Sequence, residues 1–178
     1  MSIYTTPQDE SLIRIRHLNR EAHKSSWLAA RTAKLAYKGR YRPTNPDKYD
    51  GDPTQIIYRS MLECRFMRYL DSNSGVLKWS SEEVIVPYYD PVSDRWRRYF
   101  PDFVVTTTKG TTMVEVKPHK QCSAPTGTMH RDGRKNRRLI KEQTTWVTNN
   151  AKWDAAREFC ADRKWKFQIV TEKDLGGW

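Results

Sequence analysis

Phe103-Val104-Val105 and Met113-Val114-Glu115-Val116-Lys117-Pro118 are two short, valine-rich runs separated by the turn signal Thr108-Lys109-Gly110. Both read as strands, and both keep charge where a plain core strand would not. In the second run side chains alternate faces, so Glu115 and Lys117 share one face while Val114 and Val116 take the other. Asp102 follows Pro101 and directly precedes the first run, which puts a carboxylate at the mouth of a sheet beside Glu115. Burying unpaired charges is expensive, and a metal cation bridging the two carboxylates offsets that expense. The bland alternative is a surface strand with a Glu/Lys ladder and a turn aspartate. The flanking valines argue against it, because they call for partial burial.

The chain has 178 residues, enough for one domain with a core plus an appendage. Lysine and arginine number 32 against 21 acidic residues, a net charge of +11. That balance points to a polyanionic partner, nucleic acid before membrane, since no lipid-anchor motif accompanies it. The apolar stretches fall far short of the roughly 18 residues a membrane helix needs. Met1-Ser2-Ile3-Tyr4 opens no basic, then apolar, secretory signal. Cys64, Cys122 and Cys160 are odd in number and widely spaced, the pattern of reduced thiols in a cytosolic protein. His119 and Cys122 with His130 could form part of a zinc site, but no fourth ligand has suitable spacing.

Residues 9–36 carry Leu12, Ile15, Ala22, Ala29, Ala33 and Ala36 at helical steps, which predicts a thin-striped N-terminal helical arm. Tyr37 to Pro46, with a glycine and two prolines, predicts an extended linker. The expected division is therefore an arm at 1–36 and a domain at 37–178. Asp52-Pro53 signals the start of a second helix running to Leu70, with Ile56, Ile57, Met61, Cys64, Met67 and Leu70 apolar. Strands are expected at Val76–Trp79, Glu83–Tyr88, Trp96–Phe100, Phe103–Thr107, Thr112–Lys117 and Trp165–Val170. A long helix is expected over Arg134–Ala161, with Asn149-Asn150 as a candidate break, after a loop from Pro118 to Gly133. This order argues an α+β or mixed α/β fold.

Phosphodiester hydrolysis needs a hard cation to activate water and offset phosphate charge. Magnesium suits a site with only one or two protein carboxylates, because it keeps several waters. Asp102 and Glu115 are the candidate ligands, with manganese as a substitute ion. Lys117, a compact cation, is placed to hold the attacking water and stabilise developing charge. Glu63 is a third candidate, for the metal or for orienting its water, among Met61, Leu62, Cys64, Phe66 and Met67. Its ordinary alternative is an ion pair with Arg59 or Arg65. Together these residues suggest a metal-dependent nuclease.

A helix glutamate (Glu63), then Pro101-Asp102, then Glu115-x-Lys117 resembles the PD-(D/E)XK nuclease superfamily. Wider stretches resemble the head-completion nucleases of T4-type tailed phages: Gly39-Arg40-Tyr41, Ile57-Tyr58-Arg59-Ser60, Arg98 to Phe103, Lys152-Trp153-x-Ala155-Ala156 and Thr171 to Leu175. The core is also similar to the transposon-end nuclease subunit of the Tn7 type. The likeness covers residues 37–175 and leaves the arm unmatched. It implies a restriction-endonuclease-like core, a central mixed sheet flanked by helices, and magnesium-dependent cleavage of double-stranded DNA. It also implies a place at the head–tail neck after packaging, reached from the host cytoplasm, with portal or neck proteins as partners. The alternative is a structural neck protein that uses the nuclease fold as a scaffold. A transposase-partner nuclease would share the chemistry but would usually need a further DNA- or partner-binding region, which is not evident.

Arg131, Arg134, Lys135, Arg137, Arg138 and Lys141, with Lys120 upstream, form the densest basic stretch and the candidate phosphate contacts. A solvated helix face is the alternative reading. His130-Arg131-Asp132 copies a kinase tripeptide, but no glycine-rich loop or Asp-Phe-Gly accompanies it, so the kinase reading is rejected. Trp146, Trp153, Trp165 and Trp178 could stack bases, although Trp153 and Trp165 are expected in the core.

Overall fold

The computed structural model describes residues 38–126 and 137–175. The expected N-terminal arm, part of the Pro118–Gly133 loop and Trp178 lie outside them. Four strands form the central sheet: β3 (Val76–Ser81), β6 (Phe103–Thr107), β7 (Gly110–Val116) and β8 (Lys166–Val170), in the order β3-β6-β7-β8. The first two pairings are antiparallel and β7–β8 is parallel, so the sheet is mixed. Two more two-stranded ribbons flank it, β1 (Gly39–Arg40) with β2 (Ile57–Tyr58) and β4 (Val86–Asp90) with β5 (Arg95–Tyr99). Helices α1 (Met61–Ser72) and α2 (Arg137–Asp162) complete the fold. This is the expected restriction-endonuclease-like α+β architecture.

The period-two alternation read in β7 sorts the core into two clusters. Val114 and Val116 pack with Phe103, Val105, Trp79 and the α1 residues Phe66, Met67 and Leu70. Met113, on the other face, packs with Val86, Tyr88, Tyr99 and the α2 residues Ala156 and Cys160. The sheet thus buries both faces, and β6–β7 is its central pair. Their hairpin closes through Gly110, whose φ of +112° lies where a side-chain-bearing residue is rarely found. Thr107 Oγ1 reinforces the turn by accepting from the Lys109 N–H at 3.2 Å.

The second helix starts at Met61, not at the expected Asp52-Pro53. Asp52 spends its carboxylate on a local turn, accepting from the Thr54 N–H and hydroxyl at 2.8 and 2.7 Å. Ile57-Tyr58 are then drawn into β2, and Ser60 becomes the cap, accepting from the Glu63 N–H at 3.1 Å. The linker expectation for Tyr37–Pro46 also needs correcting from Gly39 onward. Tyr41 is buried, and the strap after it is pinned to Asp71 at the end of α1. The Asp71 carboxylate accepts from the Tyr41 hydroxyl (3.1 Å) and from the Thr44 and Asn45 N–H groups (2.7 and 3.0 Å). Helix α2 runs unbroken through Asn149-Asn150, with the Asn150 side-chain amide donating to the Trp146 carbonyl at 2.8 Å.

Cys64, Cys122 and Cys160 are all free, and Trp153 is buried as expected. Among the described residues no helix is long and apolar enough to cross a membrane.

Asp71→Ala would strand one hydroxyl and two amide donors in a partly buried strap. Unsatisfied donors cost about 1–3 kcal/mol each, with partial relief from water. The expected loss is about 3 kcal/mol, read as a drop of several degrees in thermal midpoint. A midpoint unchanged from wild type would show that the strap is held by something else.

Candidate active site

Cross-strand register, not proximity in sequence, brings the acids together. Phe103 pairs with Val114, so one step further along the hairpin Asp102 stands opposite Glu115, on the same face. The Asp102 Oδ2 accepts from the Val116 N–H at 2.8 Å, which fixes the carboxylate at the end of the sheet. Upstream, the Glu82 N–H donates to the Asp102 carbonyl at 3.3 Å from a left-handed backbone, φ 57°. Lys117 lies two residues beyond Glu115 and so on the same face. Its N–H continues the β7–β8 pairing by donating to the Val170 carbonyl at 3.0 Å. The Lys117 Nζ sits 2.7 Å from Glu115 Oε1 and 4.0 Å from Asp102 Oδ2. One ammonium therefore reaches both acids.

Glu115 is 3% exposed, and its second oxygen accepts from the Tyr99 hydroxyl at 2.5 Å. Burial, and then the Glu115 charge, push the Tyr99 phenol far above its ordinary value, so it remains a neutral donor. Burial alone would lower the Lys117 ammonium, but Asp102 and Glu115 outweigh it and raise it. Lys117 is accordingly a fixed positive charge. Asp102 is pushed up to about 7, first by burial and then by the Glu115 charge, against the opposing pull of Lys117. Two acids facing one lysine leave a deficit of positive charge at this end of the sheet.

Glu63 comes from the first turn of α1, not its middle as expected. Its Oε1 accepts from the Ser60 hydroxyl at 2.8 Å and its Oε2 from the Arg59 N–H at 2.7 Å. This is a reciprocal helix cap, legible as Ser60-x-x-Glu63 in the sequence. The Arg59 guanidinium turns away to Glu82, at 3.0 Å from Nε and 2.5 Å from Nη2, so the ion-pair alternative for Glu63 does not form with Arg59. The Glu63 charge still acts on both Asp102 and Lys117, which places it beside the group. Among the described residues no three of His, Cys, Asp and Glu gather as a metal cluster. The same finding gives no support to a zinc site at His119 and Cys122, and His130 lies outside the described residues.

Asp102 and Glu115 nevertheless suit a magnesium ion, which needs few protein ligands. Among the described residues nothing donates to Asp102 Oδ1, which leaves that oxygen open to a cation.

Lys120, Arg137, Arg138 and Lys141 are exposed, whereas Arg131, Arg134 and Lys135 lie outside the described residues. Lys120, Arg138 and Lys141 line a groove of about 800 Å³ together with Trp146, beginning three residues after Lys117. Arg138 is paired along the helix with Glu142 at 3.0 Å. Tyr99, Glu82 and Ser60 escaped the sequence reading as site residues. Of these, only Ser60 carried a local signal, the capping box.

The family of TnsA-like endonuclease N-terminal domains matches residues 73–172, a span that contains Asp102, Glu115 and Lys117. The chain belongs to this family. The chain is also 37% identical over 142 residues to the head completion nuclease of Enterobacteria phage T4. The alignment covers 79% of this chain and 95% of the phage T4 protein.

The raised proton affinity of Asp102 sets a pH dependence. The unfolded carboxyl titrates near 3.9 and the folded one near 7, so the folded state holds the extra proton between those values. That contribution to stability is complete below about pH 4 and is lost as pH rises through about 7. In EDTA, the melting temperature of wild type should fall across this window relative to Asp102→Asn. Parallel profiles for the two proteins would show that Asp102 titrates normally.

Proposed function

We propose that this TnsA-like endonuclease is a magnesium-dependent DNA endonuclease that hydrolyses phosphodiester bonds during head completion of a tailed phage. One observation carries the chemistry: Asp102, just before β6, and Glu115 of β7 face each other with the Lys117 ammonium 4.0 and 2.7 Å from them. Asp102 and Glu115 would hold the metal. When bound, magnesium or manganese would supply Lewis-acid activation of water and offset the charge of the phosphate.

Every other role falls to side chains already in place. Lys117, its ammonium favoured by its two acids, is placed to stabilise negative charge developing on the phosphate. Tyr99 holds Glu115 from behind and leaves Asp102 the more open of the two acids. Glu63 adds negative charge from the α1 cap, suited to orienting the attacking water. Double-stranded DNA would run along the groove of Lys120, Lys141 and Trp146, where the lysines meet phosphates. Arg137 and Arg138, with Arg131, Arg134 and Lys135 preceding them in sequence, would extend that contact.

Similarity to the phage T4 head completion nuclease supports a role at the head–tail neck, with portal or neck proteins as partners. Assembly would take place in the host cytoplasm, and the portal would set the oligomeric state. A scaffold-only role gives no reason to keep a buried Glu–Lys pair, because apolar residues of similar volume would serve stability as well or better.

The test is incubation of purified protein with linear and circular duplex DNA in magnesium, manganese or EDTA. EDTA and Asp102→Ala should abolish cutting while DNA binding persists. Lys117→Ala should lose about 10²–10³-fold in kcat, the usual magnitude for removing one transition-state donor. An Asp102→Ala protein that cuts at the wild-type rate would place the activity elsewhere.

A further inference from the structure

On the α2 side of the sheet, one lysine stands without a hydrogen-bonding partner. The Lys152 Nζ lies 5.7 Å from the ring centroids of both Tyr88 and Tyr99. Those rings meet edge to face at 6.5 Å, forming a corner around the ammonium. Among the described residues no group accepts a hydrogen bond from Lys152 and no carboxylate pairs with it. The neighbouring charges are Glu115, Asp102 and Asp90, which favour its ammonium, and Lys117, which opposes it. Three of the four belong to the candidate active site. Burial lowers the proton affinity of Lys152, as expected for an ammonium denied solvent and given no acceptor.

Two aromatic faces recover only part of that loss. A half-buried cation with all three donors unspent is poor packing. Methionine, of similar length and shape, would fill the corner without charge. The Tyr99 ring that carries Lys152 also bears the hydroxyl that holds Glu115, so the lysine and the acid share one rigid support. Asp102 and Glu115 face a single ammonium of the sheet, that of Lys117. An incoming phosphodiester adds another negative charge and brings unshared oxygens, which are the acceptors Lys152 lacks.

We propose that Lys152 is a second phosphate-binding lysine of this site, taking a non-bridging oxygen at the scissile phosphate or its neighbour from the α2 wall. This rests on the nuclease reading above. Lys117 then contributes charge from the sheet and Lys152 contributes it from the helix, each on a rigid element.

The experiment uses the full chain with Lys152→Met, which keeps the stem on the tyrosine rings, and Lys152→Arg, which keeps the charge. Binding of a short DNA duplex is measured in EDTA at several salt concentrations, and single-turnover cleavage is measured in magnesium. Lys152→Met should melt no lower than wild type, because it removes an unpaired, half-buried charge. Its slope of log K against log salt should shrink by about one. Its cleavage rate should fall roughly 100-fold, and Lys152→Arg should restore the slope. If Lys152→Met fails to fold, Lys152→Gln takes its place in both measurements. A folded charge-less variant with the wild-type slope, or with the wild-type rate, overturns the proposal. A wild-type chain that cuts no DNA in magnesium would sink the nuclease reading itself, while the salt slope would still report whether Lys152 meets a phosphate.

Discussion

The pairing of β6 with β7 is the constraint on which the rest depends. Phe103 against Val114 puts Phe103, Val105, Val114 and Val116 over α1, and the two acids together on the face of Met113, under α2. Side-chain direction in a strand has a period of two, so a slip of one residue would break both arrangements at once. The apolar faces and the acids therefore specify the same register. Gly110 fixes it at the turn, and the Val116 N–H bond to Asp102 fixes it at the open end. Helices α1 and α2 then cover faces that this pairing has already defined.

The chemistry of the site follows from an imbalance that the fold maintains. A buried ion pair seldom adds net stability, because desolvating both partners offsets their attraction. Glu115 and Lys117 form such a pair, and Asp102 adds a second acid beside it. Burial, and after it the Glu115 charge, raise the proton affinity of Asp102. Stability alone gives no reason to retain this group. Under the function proposed above, a hard cation and a phosphate would together satisfy both acids and the lysine.

The part of the fold legible in the sequence is the part fixed by short-range alternation. Strand β6 coincides with its expected span, and Asp102, Glu115 and Lys117 stood out because charge interrupts valine-rich runs. The start of α1 was not legible in the same way. Asp52-Pro53 and Ser60-x-x-Glu63 are both good local start signals, and only the pairing of Ile57-Tyr58 with β1 decides between them. Similarly, the strap from Tyr41 to Pro46 looked like part of a linker because its anchor, Asp71, lies 30 residues beyond Tyr41. Tyr99 and Lys152 were equally out of reach: each acquires its meaning from a partner on another element. No local pattern announces that a tyrosine of β5 will hold an acid of β7.

The hairpin that carries both acids also bears on how the molecule is assembled. Asp102 and Glu115 belong to strands joined by one tight turn, so closing their loop is among the least demanding entropic steps in the chain. Strand β8 is different, because its parallel pairing with β7 must wait for the whole α2 crossover. On contact order alone, pairing Asp102 with Glu115 does not have to wait for α2 and β8. Water then screens the two carboxylates during the encounter, and their repulsion grows only as α2 and β8 close over them.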